Sequence, residues 1–224
     1  MASVLLPAVP KQPMQFEASP PSQIWKGDQD ALRFLTRQNG QVTSLWKELY
    51  EGDGMTWEVM MKFREKPKSN TALMHTYGKK FNDNTYSSSH RRRAVGIFVG
   101  PSGQHHIFGC AGSNVHTGDK GPDLWDDKWH HIVLVLSKST QQITYYVDGT
   151  KIASASYNPG SNNPGVDGEI FIGGGTLERY YGSEISRFAI WDRALSEAEV
   201  TDAKTCKAGT NGLKVLYTLE TDYK

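Results

Sequence analysis

Two apolar runs near the middle of the chain have the spacing of β-strands. Residues 129–136 are mostly aliphatic or β-branched without helical spacing, which is typical of a strand covered on both faces. Residues 143–147 alternate in polarity and end at Asp148-Gly149, a dipeptide that favours a tight hairpin turn. These patterns predict a central hairpin, and a third strand over residues 151–156 leaves its turn.

Residues 57–64 alternate most regularly. Trp57, Val59, Met61 and Phe63 fall on one face, and mostly polar residues fall on the other. A period of two with one apolar face predicts a half-buried strand.

Further short strands are predicted on either side of this strand. Asn39-Gly40 is a strong turn dipeptide and predicts a strand pair formed by residues 31–34 and 41–43. The remaining predicted strands are residues 73–77, 94–99, 105–110, 169–172, 185–191 and 212–219.

A helix is predicted only near the end of the chain. Ser196 is a good N-cap, and Glu199 stands three residues later, as in a capping box. Ala198, Val200 and Ala203 supply a short apolar stripe. Many short strands with turn signals and one late helix predict an all-β antiparallel sandwich.

Length and composition suit one such domain. The 224 residues are 38% hydrophobic and 22% charged, and sandwiches of this size often form one unit. We predict a domain over residues 22–224, preceded by a partly flexible arm over residues 1–21, which are rich in proline, alanine and serine.

Net charge and hydropathy give no sign of a nucleic-acid or membrane partner. A net charge of +1 gives no global attraction to nucleic acid or anionic membrane, so nucleic-acid binding would rest on residues 91–93 alone and is not expected. None of the apolar runs approaches the roughly 20 residues of a membrane span.

The N-terminal sequence does not resemble a secretory signal. It has no basic start, and Pro7 and Pro10 interrupt its apolar run. A cytoplasmic protein, export by another route and a domain of a larger extracellular protein all stay open. Cys110 and Cys206 are far apart in sequence, and two free thiols are favoured over a disulfide, although the pairing also stays open.

Several of these segments resemble laminin G-like domains, relatives of the concanavalin A-like lectins. The matching segments are residues 31–34, 57–59, 129–131, 147–149, 170–174 and, most specifically, 185–200, in the family's order. The resemblance extends over residues 31–219. It implies a jelly-roll β-sandwich of two curved antiparallel sheets with one short C-terminal helix.

Catalysis is not expected. Glycan hydrolases of this fold use two carboxylates facing each other across a sugar. Here Asp126 and Asp127 fall in a predicted loop, and Glu58 stands alone on its strand. His130 and His131 are neighbours on a strand and should point to opposite faces, which suits structural roles better than a zinc site.

The large aromatic residues of these motifs are expected in the core. Trp129, Trp191 and Phe188 bury area that a sandwich needs. Recognition of a ligand is therefore expected to lie in loops.

The first candidate loop is basic. Guanidinium groups bind carboxylate, sulfate or phosphate through two parallel hydrogen bonds, and a neighbouring tyrosine can stack on a sugar. A solvated basic loop is the alternative. The candidate ligand-binding residues are Tyr86, His90, Arg91, Arg92 and Arg93.

Two further loops are candidates. Arg179, Tyr180 and Tyr181 are predicted to project from a turn as a ligand platform, unless the tyrosines merely cap the sandwich edge. A third loop gathers carboxylates as calcium sites do, although its spacing matches no fixed calcium loop. Its candidate metal ligands are Asp119, Asp123, Asp126 and Asp127.

The leading hypothesis from the sequence is a non-catalytic, lectin-like module that binds a glycan or glycoprotein through rim loops, with calcium as a candidate cofactor. The alternative is a protein-interaction or self-assembly module, including a homo-oligomer. A glycosidase or lyase is a third and weaker alternative.

Overall fold

The strands of this chain form two main sheets. The computed structural model describes residues 32–35, 37–38, 41–42, 52–63, 66, 71–78, 96–108, 121–156, 168–172, 183–205 and 207–218. Their elements are β1 Leu32–Leu35, β2 Arg37–Gln38, β3 Gln41–Val42, β4 Gly54–Phe63, β5 Thr71–Gly78, β6 Gly96–Val99, β7 His105–Phe108, β8 Trp129–Ser137, β9 Gln142–Val147, β10 Thr150–Ser156, β11 Gly168–Ile172, β12 Ser183–Trp191, α1 Glu197–Lys204 and β13 Leu213–Thr218.

The two sheets are antiparallel. One has five strands in the order β1-β11-β5-β6-β7, and the other has six in the order β10-β9-β8-β4-β12-β13. Every neighbouring pair is antiparallel. The prediction of an all-β antiparallel sandwich with one short C-terminal helix is confirmed for the described part of the chain, and the arrangement is consistent with a jelly roll.

The main core lies between the sheets. Trp57, Val59, Met61 and Phe63 of β4 are buried together on its inner face, as their alternation predicted. The five-stranded sheet contributes the facing layer. Its buried members of this core are Leu73, Met74, Ile97, Val99 and Ile107.

A second core lies on the outer face of the six-stranded sheet. Val133 and Val135 of β8 and Trp191 of β12 pack there with Val200 and Ala203 of α1. The prediction that β4 is only half-buried is therefore wrong. Its outer-face residues Thr56 and Glu58 are buried as well.

Local turn signals placed most elements correctly, with one error of pairing. Asn39-Gly40 does lie between two paired strands, but these are β2 and β3. β1 pairs instead with β11, far away in the sequence. At the central hairpin, Asp148 has φ 53° and Gly149 has φ 82°, as its predicted tight turn requires.

The predicted helix start is confirmed. The Ser196 side chain accepts from the Glu199 amide, and the Glu199 carboxylate accepts from the Ser196 amide. Val200 and Ala203 are buried, whereas Ala198, which was expected in the apolar stripe, is exposed.

Some expectations lie outside the described residues. These include the arm over residues 1–21 and both Cys110 and Cys206. Within the described residues, no helix is long and apolar enough to span a membrane.

Candidate functional site

The segment 121–128, which leads into β8, is held by buried contacts. Leu124 is fully buried in the main core. The ring of Trp125 packs edge-on against Phe63 with 4.9 Å between centroids. The Asp123 side chain accepts from the Trp125 amide at 3.0 Å. These contacts fix the backbone immediately before Trp129.

His105 joins the same segment to both sheets. Its Nε2 lies 3.1 Å from the Pro122 carbonyl oxygen, which can only accept, so Nε2 donates. Nδ1 lies 2.9 Å from the Tyr145 hydroxyl, and in the neutral ring it accepts the hydroxyl proton. The ring leaves no room at Gly121, where a Cβ would lie 2.3 Å from ring atoms of His105.

A histidine between two carboxylates anchors the other side of the segment. His130 Nε2 lies 3.0 Å from Asp126 Oδ1, and its Nδ1 lies 2.9 Å from Asp148 Oδ2. A neutral imidazole has one N–H, so both contacts are hydrogen bonds only when the ring is protonated. The bridge joins the segment to the β9–β10 turn.

Both carboxylates of this bridge are held in their charged form. The pKa of Asp126 is well below its usual range because the Lys128 ammonium, 2.8 Å away, and His130 donate to it. Burial raises the pKa of Asp148, but hydrogen bonds from His130 and the His131 amide outweigh burial and lower it overall.

Trp129 is the exposed aromatic residue of this region. The prediction that it lies in the core is wrong: 38% of its surface is accessible. It stands at the start of β8, opposite Lys62 of β4. The Lys62 ammonium lies 3.2 Å from an Asp127 carboxylate oxygen, and Asp127 is itself mostly exposed. We call Trp129, Lys62 and Asp127 the Trp129 platform.

The platform combines the groups that sugars contact in proteins. The face of an indole stacks on the apolar face of a pyranose ring. The carboxylate accepts hydrogen bonds from hydroxyl groups, and the ammonium donates to them. Buried contacts of the preceding segment hold the backbone that carries Asp127 and leads into Trp129.

A second polar cluster lies beneath α1. His131 Nε2 lies 3.1 Å from Glu58 Oε1, and Arg187 Nε donates to the same oxygen at 2.9 Å. Arg187 also donates to the carbonyl oxygen of Ala203 at 2.8 Å, near the helix end. His130 and His131 thus point to opposite faces, as predicted, and both are buried. The Glu58 cluster joins the sheet to the helix and lies away from solvent.

All eight predicted ligand-binding residues belong to two loops. Both predicted recognition loops lie outside the described residues. These comprise Tyr86, His90, Arg91, Arg92 and Arg93 of the first loop and Arg179, Tyr180 and Tyr181 of the second. Their roles stay predictions.

The predicted metal ligands are engaged by protein groups wherever they are described. Asp123 accepts from a backbone amide, Asp126 from Lys128 and His130, and Asp127 pairs with Lys62. Among the residues that can be described, no three histidine, cysteine or acidic side chains are grouped to hold a metal ion. Asp119 lies outside them.

Sequence reasoning missed Trp129 as a surface residue and did not place Lys62 beside it. A usable signal existed, because Trp129 directly follows the charged residues Asp126, Asp127 and Lys128 and so begins its strand at the rim. The pattern gave no indication that Lys62 lies beside it, since their pairing depends on the register of β4 against β8.

Comparison with known proteins agrees with this architecture. A family model described as the concanavalin A-like lectin/glucanases superfamily matches residues 36–201. The chain belongs to this superfamily. No curated protein sequence matches this superfamily member.

Solved structures share its fold. Trypanosoma rangeli sialidase in complex with sialic acid is 17% identical with a TM-score of 0.59, covering 89% of this chain and 30% of that one. A heptameric SAP-like pentraxin from Limulus polyphemus is 14% identical with a TM-score of 0.51, covering 75% of this chain and 80% of that one. A proposed carbohydrate-binding protein from Bacteroides ovatus is 19% identical with a TM-score of 0.50, covering 76% and 46% respectively.

These likenesses establish the fold alone. The chain spans only 26% to 30% of the sialidase chains that it matches. What those proteins bind is a property of those proteins.

Proposed function

We propose that this superfamily member is a non-catalytic carbohydrate-binding module, and that the Trp129 platform is part of its binding surface. The observation that carries the proposal is the exposed residue Trp129 opposite Lys62, whose ammonium pairs with Asp127 on a segment held by the core. Such a combination of one apolar face with a few placed polar groups suits a sugar ring. The predicted arginine and tyrosine loops are further candidate contacts.

The charge states near the platform support binding without catalysis. A glycosidase needs a carboxylic acid that keeps its proton near neutral pH, and such a group has a raised pKa. The pKa values of Asp126 and Asp148 are instead lowered. Glu58 is buried beneath α1 and paired with Arg187.

A glycan array with the purified chain tests the proposal. The wild type is compared with Trp129→Ala, and Leu216→Ala serves as the control because Leu216 is the other exposed large apolar residue in the described part of the chain. We expect specific glycan binding that Trp129→Ala weakens by at least tenfold and Leu216→Ala leaves unchanged. Absence of wild-type binding, with and without calcium, would contradict the proposal.

A second comparison separates the candidate surfaces. Replacing Arg91, Arg92 and Arg93 together by alanine tests the basic loop, and repeating the array in chelator tests the acidic loop. Binding that is lost only in the arginine variant assigns the ligand to the basic loop rather than to the Trp129 platform.

Self-assembly is the second candidate, and one observation favours it. β13 lies at the end of the six-stranded sheet, and its residue Leu216 is 57% exposed. A terminal strand with an exposed apolar side chain can pair with a second copy. Light scattering of the wild type and Leu216→Lys tests this, and a monomeric wild type at high concentration would remove the candidate.

A further inference from the structure

We infer that the Trp129 platform selects neutral sugars over sugars that carry a carboxylate. This inference rests on the proposed function, because it names the ligand class of the same surface. It is carried by the charges that surround the indole rather than by the indole itself.

The cation beside Trp129 already has an anionic partner. The Lys62 ammonium lies 3.2 Å from the Asp127 carboxylate, and Lys62 is opposite Trp129 in the strand register. A carboxylate on a bound sugar would have to separate this pair in order to reach the ammonium. Asp127 would then lie close to a second negative charge, which is unfavourable.

The neighbouring cations are engaged in the same way. Lys128 lies 2.8 Å from Asp126. Lys204 lies 3.7 Å from Asp148, and His130 bridges Asp126 and Asp148. Each of these described lysines therefore has a carboxylate beside it.

A further carboxylate lies on the same row of the sheet. Glu184 of β12 is opposite Lys62, and so Trp129, Lys62 and Glu184 follow one another across three adjacent strands. The Glu184 side chain is itself buried, so the charges toward the surface are those of Lys62, Lys128 and Lys204, which stand beside Asp127, Asp126 and Asp148 respectively. Among the described residues, this region offers an incoming anion no lysine that lacks a carboxylate beside it.

A neutral sugar neither separates the Lys62–Asp127 pair nor brings a second negative charge close to Asp127. Its hydroxyl groups donate to the outer oxygens of Asp127 and accept from Lys62 while the ion pair stays intact. Its apolar face covers Trp129. The ion pair therefore makes the surface selective, because it forms hydrogen bonds with hydroxyl groups and disfavours carboxylates.

The experiment compares N-acetyllactosamine with its sialylated form, measured by calorimetry on the full chain. Only binding that Trp129→Ala removes is counted, so that anion binding by residues 91–93 does not enter. We expect the neutral disaccharide to bind at least tenfold more tightly than the sialylated one. A preference for the sialylated form at the Trp129 platform would overturn the inference and leave the proposed function standing.

A charge variant tests the cause of the preference. Asp127→Asn keeps the shape of the side chain and releases Lys62 from its ion pair. We expect it to reduce the selectivity for the neutral sugar by about tenfold, mainly through tighter binding of the sialylated form. Asp202→Asn, on the exposed surface of α1, is the matched control. Unchanged selectivity in Asp127→Asn overturns the inference, and so does absence of wild-type binding to both disaccharides. The proposed function itself is overturned only by absence of binding on the whole glycan array.

Discussion

Gly121 shows how one residue without a side chain positions the segment before Trp129. A Cβ at this position would lie 2.3 Å from the His105 ring, which is itself held by Pro122 and Tyr145. We expect Gly121→Ala to lower the free energy of unfolding by about 2 kcal/mol, the usual cost of forcing atoms into a packed site. Urea unfolding measures the change.

The control for this variant is Gly209→Ala. A Cβ at Gly209 would have open space around it, with no atom within 4 Å beyond its chain neighbours, so this variant tests the general effect of replacing glycine. Equal stability of the two variants would mean that the close approach of His105 to Gly121 does not constrain the fold.

Glu58 is the acceptor that holds His131 and Arg187 beneath the helix. Removing its charge takes the Glu58 carboxylate away from the partly buried Arg187 and from His131. We expect Glu58→Gln to lower the free energy of unfolding by about 3 kcal/mol, as for other broken buried ion pairs. Chemical denaturation measures it against Glu197→Gln on the exposed side of α1. A loss below about 1 kcal/mol would contradict a supporting role for this cluster.

At the residue scale, the sequence predicted which side chains share a face but not what covers that face. Trp57 and Val59 were placed correctly because alternation is a local property. Trp129 was expected in the core, yet it is exposed because it stands at the end of its strand. Glu58 was expected on a polar face, yet it is buried because α1 covers that part of the sheet.

At the element scale, the start of α1 depends on Glu199. The pKa of Glu199 is lowered to about 2 because Arg193 and the Ser196 amide donate to its carboxylate. A lowered pKa in the folded state adds stability above the unfolded value, and this stability is lost as the pH falls toward the folded value. We therefore expect Glu199→Gln to be less stable than the wild type at pH 7, by a few tenths of a kcal/mol to about 1 kcal/mol.

The pH profile provides the check on this prediction. The stability difference between wild type and Glu199→Gln should shrink as the pH falls from 4.5 toward about 2, measured by thermal unfolding. A difference that stays constant over this range would show that the charge of Glu199 does not act at the helix start.

Elements defined by neighbouring residues could be predicted from the sequence, and pairings between distant segments could not. The capping box of Ser196 and the turn at Asp148 and Gly149 involve residues at most three apart. The pairing of β1 with β11 joins residues such as Leu32 and Ile172, and no local pattern indicates it.

At the scale of the whole molecule, the fold was predictable because many segments match one family in order. The Trp129 platform was not, since it assembles the ends of β4 and β8 with the segment before β8. The position of α1 over the six-stranded sheet was also missed, although its start was predicted. The polarity pattern and the family resemblance thus predict the two sheets, whereas the Trp129 platform depends on the register of β4 against β8.

The two sheets are joined by the hydrogen bond between His105 of β7 and Tyr145 of β9. Burial, and then the charge of Asp148, raise the pKa of Tyr145 far above its usual value of 10.0. The folded protein therefore keeps this proton at a pH where the unfolded chain releases it. Stability from this group is present below pH 10 and is lost as the pH rises further.

Tyr145→Phe tests this connection between the sheets. At pH 7 we expect the variant to be about 1 kcal/mol less stable, because His105 loses its hydroxyl partner. Above pH 10 the free energy of unfolding of the wild type should fall by up to about 1.4 kcal/mol per pH unit relative to the variant. The reason is that only the wild type has the Tyr145 proton to release. The two stability curves, measured by urea unfolding from pH 7 to pH 11, should therefore converge at high pH. Parallel curves would show that Tyr145 ionises as readily in the folded protein as in the unfolded chain. The hydroxyl would then not be buried between the sheets.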